Sequence, residues 1–195
     1  MNKLNGKKVA ILVADGFEQV EMTEPRAALE KAGAHTTLIS PAAGRVRGWN
    51  HVEWGDAFEV QAGLEGADAG DYDALLLPGG VMNPDKLRAL PAVQRFVKGF
   101  FEAGKPVAAI CHGPWTLIDA GVVKGRTLTS YHTIRTDLKN AGAHWVDEEV
   151  VVDRGLVTSR QPDDIPAFNT KMLEEFAEGR HEAVGTGARA GRATS

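Results

Sequence analysis

A chain of 195 residues with 43% hydrophobic and 25% charged side chains has the size and composition of one globular domain with a sizeable core. A net charge of −4 carries no nucleic-acid footprint, and no apolar run is long enough to span a bilayer. One cysteine excludes an internal disulfide and fits a reducing cytoplasm, and the apolar run at residues 9–14 is too short for a signal peptide.

Strand and helix patterns alternate along the chain. Residues 7–14 read as a buried first strand of a parallel sheet, with Asp15-Gly16-Phe17 as the turn at its carboxyl end. Residues 18–32 read as a helix closed by Gly33. Pro25 means that this helix either begins near Thr23-Glu24-Pro25 or begins earlier and kinks. Residues 34–41 form a second strand. Residues 44–63 scatter Val46, Trp49, Val52, Trp54, Phe58 and Val60 among Gly, Asp and Glu, the pattern of an antiparallel hairpin at a sheet edge. Trp49 and Trp54 fit packing or interface roles better than ligand stacking. Residues 72–77 are a strand, followed by the turn Pro78-Gly79-Gly80. A short helix follows, capped by Asn83 with Pro84 in its first position, and then a longer one at 91–103.

Residues 107–110 are a further apolar strand running into Cys111-His112-Gly113-Pro114. A strand is expected at 126–131, with Tyr131-His132 after it either lining a pocket or on the surface. A helix follows at 132–141, then paired strands at 144–153 and 156–160 around Arg154-Gly155. Pro162-Asp163-Asp164 caps a last helix at 165–178. Residues 1–179 thus read as one domain, and 180–195, with hardly any large apolar side chain, as a disordered tail. The alternation predicts an α/β fold: a doubly wound, mostly parallel sheet with helices on both faces and a small antiparallel edge hairpin. Ligands of such sheets bind beyond the carboxyl ends of the strands, where Glu18, Gly79-Gly80 and Cys111 converge.

Cys111 sits at a strand–turn–helix junction between the small residues Ala109 and Gly113, as a nucleophile elbow requires. The helix N-terminus behind it favours thiolate over thiol. Most lone cysteines are inert small hydrophobes; the elbow and the adjacent His112 move the balance toward a nucleophile. Backbone N–H groups of His112 and of the Gly79-Gly80 turn could hold an oxyanion. Cys111 and His112 are adjacent and have no further Cys/His cluster, so no metal is expected. No dinucleotide or phosphate-loop signature is present, so no cofactor is expected either.

Residues Ala109-Ile110-Cys111-His112-Gly113-Pro114, with Leu77-Pro78-Gly79-Gly80 upstream, resemble the DJ-1/PfpI superfamily, the class I glutamine-amidotransferase-like group. Asp15-Gly16-Phe17-Glu18-Gln19-Val20-Glu21, Gly121-Val122-Val123-Lys124-Gly125-Arg126 and Leu156-Val157-Thr158-Ser159-Arg160 extend the likeness over roughly residues 7 to 178. The subgroup it is most similar to is that of the PfpI-like stress proteins, described as intracellular proteases, glyoxalases or deglycases. The resemblance implies a flavodoxin-like fold, Cys111 as nucleophile and His112 as general acid/base. It also implies Glu18 as a protonated carboxyl beside the sulfur, and Gly80 and His112 amides as oxyanion donors. It implies a homo-oligomer with the site near the interface, where a carboxylate of a neighbouring subunit orients the histidine. Asp85 is the candidate for that carboxylate, one residue further from the glycines than in the family and shorter than its glutamate. Asp85 reads equally well as a first-turn aspartate stabilising a helix N-terminus.

The expected function is therefore that of a cytoplasmic stress-protection enzyme whose cysteine attacks a small carbonyl compound, a glycated amine or a peptide. The alternative is a redox sensor or protective protein in which Cys111 is oxidised rather than turned over.

Overall fold

The computed structural model of the chain describes residues 3–181. In order these form β1 (Lys8–Leu12), β2 (Phe17–Glu18), α1 (Gln19–Lys31), β3 (His35–Ser40), β4 (Arg45–Asn50), β5 (Glu53–Glu59) and β6 (Ala62–Gly63). There follow β7 (Ala74–Leu77), α2 (Met82–Arg88), α3 (Pro91–Glu102), β8 (Val107–Ile110), α4 (Pro114–Asp119), β9 (Thr127–Leu128) and α5 (Arg135–Asn140). The described part ends with β10 (His144–Trp145), β11 (Val150–Asp153), β12 (Leu156–Ser159) and α6 (Ile165–Glu178).

The main sheet has seven strands in the order β11-β12-β8-β7-β1-β3-β6. Every neighbouring pair is parallel except β11 with β12, an antiparallel hairpin at one edge. Side chains of successive strand residues go to opposite faces, so one apolar run supplies two cores. Ala10, Leu12, Leu75, Leu77, Val107 and Ala109 pack with Val93, Phe96, Val97 and Phe100 of α3 and Leu117 of α4. Val9, Ile11, Leu76, Ala108 and Ile110 pack on the other face with Met22 and Leu29 of α1 and Phe168, Met172 and Phe176 of α6. Cys111 belongs to this second core, on the α1 side. No helix among the described residues is long and apolar enough to cross a membrane.

The helix of 18–32 takes the earlier of its two expected starts, at Gln19 rather than near Thr23, so Pro25 lies inside α1 and is buried there. Several elements differ from the sequence expectation. The 44–63 hairpin exists as β4 and β5, but it pairs with β2 in a separate three-stranded sheet. That pairing carries the hairpin away from the sheet edge toward the end of β1. The strand expected at 126–131 shrinks to β9, which pairs with β10 in a two-stranded sheet. The backbone beyond β9 has other partners: Thr129 N–H donates to Thr158 Oγ1 at 3.0 Å, and Tyr131 N–H donates to Cys111 O at 2.9 Å. The strand of 144–153 is correspondingly split into β10 and β11, which lie in different sheets. His132–Ile134 is a single 3-10 turn, and α5 begins only at Arg135. Of the expected 180–195 tail, residues 182–195 lie outside the described residues. His181 is tied down, its N–H donating to Gly104 O at 2.8 Å.

Candidate active site

Cys111 follows the last residue of β8 with φ +62°, in the left-handed region that side chains enter at a cost. Such a residue carries on the order of 1–3 kcal/mol of strain and persists only where its surroundings fix it. Both of its backbone groups are held: its N–H donates to Ser159 O at 3.0 Å, and its carbonyl accepts from Tyr131 at 2.9 Å. Gly113 N–H closes the turn on Ile110 O at 2.9 Å. The strand-to-helix elbow is therefore present, and it exposes Cys111 to a cavity of about 520 Å³. The lining comes from the loops after β1, β7 and β8, from the β4–β5 hairpin, and from Tyr131 and Pro162.

His112, although adjacent in sequence, does turn toward the sulfur. Its Nδ1 lies 3.2 Å from Cys111 Sγ, and its Nε2 lies 3.2 Å from Thr133 Oγ1. A thiol donating to Nδ1 leaves the ring proton on Nε2, where the Thr133 hydroxyl oxygen accepts it. The ring stacks on Tyr131 at 4.9 Å and meets the edge of Trp115 at 5.3 Å. Burial, with a smaller contribution from His132, pushes His112 down to about 4, so the imidazole is neutral at physiological pH and free to accept a proton.

The carboxyl expected beside the sulfur was that of Glu18; the structure puts Glu21 there instead. Glu21 lies on the buried stripe of α1 with Met22, Pro25 and Leu29, and that stripe faces the sheet. Gly79 N–H donates to its Oε2 at 2.8 Å, while its Oε1 is buried with no hydrogen-bond partner among the described residues. Burial, and more weakly the charge of Glu18, push Glu21 up to about 8, and its carboxyl couples to the Cys111 thiol. Glu18 precedes the first turn of α1, and its carboxylate turns to His51, accepting that residue's N–H at 3.4 Å.

The thiolate expected at rest is also corrected. The helix after the elbow, α4, has only six residues, too few for a strong dipole. Cys111 is 7% exposed, and burial together with Glu21 pushes its thiol up. The nearby backbone N–H groups of Gly80 and His112 favour the thiolate and act in the opposite direction. Two negative charges cannot share this enclosed space, so the Cys111–Glu21 pair keeps a proton through neutral pH.

The ionisation of Glu21 sets a pH dependence of stability. The unfolded chain releases this proton near pH 4.5, whereas the folded chain holds it to about pH 8. Between those values the folded state binds the extra proton, so stability falls as pH rises, by a few kcal/mol at most. Glu21→Gln keeps an acceptor for Gly79 and carries no charge. Thermal melts from pH 5 to 9 are expected to show the two proteins diverging, with the variant the more stable at the alkaline end. Parallel curves would place the proton elsewhere.

Asp85 is exposed on α2 and is not among the residues lining the cavity. Within one chain the outer nitrogen of His112 faces Thr133, not Asp85. Two contributors escape a reading of the sequence. Thr133 carries no local signal, since only the fold brings it to His112. Asn83 has the pattern of a helix cap, but α2 begins before it, and its buried side chain braces the glycine turn. Its Nδ2 donates to Pro78 O at 2.9 Å and Gly79 O at 3.0 Å, and its Oδ1 accepts Ala14 N–H at 2.7 Å.

Residues 7–175 match the model of the DJ-1/PfpI family. The chain belongs to the DJ-1/PfpI family. A relative from Bacillus subtilis, YraA, provisionally named a cysteine protease, is 47% identical over 167 residues, covering 86% of this chain and 96% of that protein. An uncharacterised Staphylococcus aureus protein, SAV1875, is 46% identical over 172 residues, or 87% of this chain and 98% of that one. Among solved structures, a two-domain protein of Anabaena variabilis with DJ-1/ThiJ/PfpI-like and ferritin-like domains superposes with a TM-score of 0.81 at 37% identity. The match covers 86% of this chain and 47% of that one. Drosophila melanogaster DJ-1beta gives 0.79 at 29% identity, over 88% of this chain and 90% of that one. The mostly parallel sheet, with helices on both faces, is the flavodoxin-like architecture of this family.

Proposed function

We propose that this DJ-1/PfpI protein is a cysteine enzyme in which Cys111 adds to the carbonyl carbon of a small aldehyde, a glycated amine or a peptide. The observation that carries the reading is the strained elbow itself: Cys111 at φ +62° with His112 Nδ1 at 3.2 Å. The thiol proton passes to Nδ1 as sulfur bonds to carbon, and the carbonyl electron pair moves onto oxygen. The N–H groups of Gly80 and His112, gathered around the sulfur, face the new oxyanion. Protonated Glu21 stays uncharged beside the reacting sulfur. The imidazolium, disfavoured by burial, returns its proton to the oxyanion or to a leaving amine. Glyoxalase, deglycase and peptidase reactions all share this first step, and protection against reactive carbonyls in the cytoplasm is the corresponding role. In a homo-oligomer, Asp85 of a neighbouring copy would approach His112 from outside; its exposure on α2 is compatible with that.

The redox alternative has less support. A low-pKa accessible thiol is what oxidants select, and Cys111 is buried with its pKa raised.

The test is methylglyoxal consumption by the purified protein in amine-free buffer, followed across pH. The competent state pairs a neutral His112, present above about pH 4, with a protonated Glu21, present below about pH 8. Activity is expected to form a plateau between those limits and to fall outside both. A protein that consumes no aldehyde, and cleaves no glycated or peptide substrate, removes the proposal.

A further inference from the structure

The chemistry of Cys111 leaves one wall of the cavity without a role. Parallel pairing of β2 with β4 sets Glu18 opposite Trp49, and His51 follows at the hairpin turn. The Glu18 side chain is 12% exposed. The hydrogen bond it accepts from His51 N–H is long, at 3.4 Å, and the His51 ring, 68% exposed, stands 3.8 Å away. A carboxylate can accept several strong hydrogen bonds, so most of this capacity is unfilled.

Among the described residues, no lysine or arginine lines the cavity. The nearby cations are engaged elsewhere. Arg47 donates to Gly55 O at 3.0 Å and sits over the Trp54 ring, and Lys86 donates to Asp15 O at 3.2 Å. A bound cation would fill this free capacity with charge-assisted hydrogen bonds. The indole of Trp49 on the same wall adds the attraction of an aromatic ring for positive charge. Substrates bearing a carboxylate or phosphate would meet repulsion.

We propose that Glu18 and Trp49 form a cation-binding subsite, so that the carbonyl compounds delivered to Cys111 carry an amine or guanidinium group. The substrate preference rests on the Cys111 reading above; the subsite itself does not.

The experiment measures alkylation of Cys111 by intact-mass spectrometry, with rates normalised to those of 2-mercaptoethanol. The probes are the isosteric pair N-(2-trimethylammonioethyl)iodoacetamide and N-(3,3-dimethylbutyl)iodoacetamide, with iodoacetylglycine as the anion. The cationic probe is expected to react about tenfold faster than its neutral isostere, and the anion more slowly than either. The preference is expected to collapse toward unity in Glu18→Gln and to return in Glu18→Asp. Equal rates for the isosteric pair on the wild type, or a preference that survives Glu18→Gln, would overturn the subsite. A second measurement needs no variant: n-butylguanidinium should protect Cys111 from the neutral probe where butyrate does not, and equal protection by both overturns it. Alkylation requires no catalysis. A protein with the charge preference but no carbonyl turnover therefore retires the enzyme reading alone, and turnover without the preference retires the subsite alone.

Discussion

Cys111→Ser is expected to lower carbonyl turnover by at least about a thousandfold, because a serine hydroxyl is far harder to ionise than a thiol. The site gives serine little help. It is enclosed, and His112, pushed down to about 4 by burial, is too weak a base to deprotonate an alcohol. His112→Ala removes the proton acceptor 3.2 Å from the sulfur and is expected to cost about a hundred- to ten-thousandfold in kcat. The two residues act as one unit, so the double variant should be little worse than Cys111→Ser alone. Steady-state kinetics on the three proteins with methylglyoxal checks this. Multiplying losses would mean that His112 acts on something other than the Cys111 thiol.

Gly79→Ala is expected to cost about 3 kcal/mol and to lower the melting temperature by about 6–12 °C, a large effect for one methyl group. Its Cβ would lie 2.5 Å from Glu21 Oε2, 2.7 Å from Cys111 Cβ and 2.7 Å from Ile110 O. These neighbours are buried, and one is backbone, so none can swing aside. The clash also separates the Glu21 carboxyl from the thiol, so activity and stability should fall together. Two further glycines serve as comparisons. A methyl group on Gly63 would meet nothing within 4 Å among the described residues, and its φ is ordinary, so Gly63→Ala should be within about 0.5 kcal/mol of the wild type. Gly121 also has open space but sits at φ +72°, so Gly121→Ala should cost about 1 kcal/mol through backbone strain alone. Calorimetric melts of the three variants separate steric conflict from strain. A Gly79→Ala protein that melts with the wild type would show that the glycine turn can move.

The parts of the fold that read most securely from sequence are those whose signal is local and periodic. The runs that become β1, β7 and β8 are apolar at consecutive positions because both faces of a central parallel strand are covered. Short strands are misleading where backbone groups find partners outside a ladder. Thr129 and Tyr131 continue an extended-looking run, yet they bond to Thr158 and Cys111. The hairpin at β4 and β5 is visible in its residues, but its partner β2 is two residues long and has no pattern of its own.

The sequence by itself determined the family, the mostly parallel sheet and the elbow that carries Cys111. Those features rest on contiguous apolar runs and on small residues at fixed offsets from the cysteine. Glu21 was also within reach, since Glu21, Pro25 and Leu29 recur at the spacing of one helix face, which marks the glutamate as part of the buried stripe. Tertiary structure alone decided that this stripe turns Glu21 onto the sulfur while Glu18 is left on the cavity wall. It also decided that Thr133, 21 residues from His112 in the chain, faces the outer nitrogen of its ring. The physical reason is that a strand or helix is specified by neighbours in the chain. A protonation state and a hydrogen-bond partner are specified by burial, and burial is created only when α1, β8 and the loop after β9 pack together.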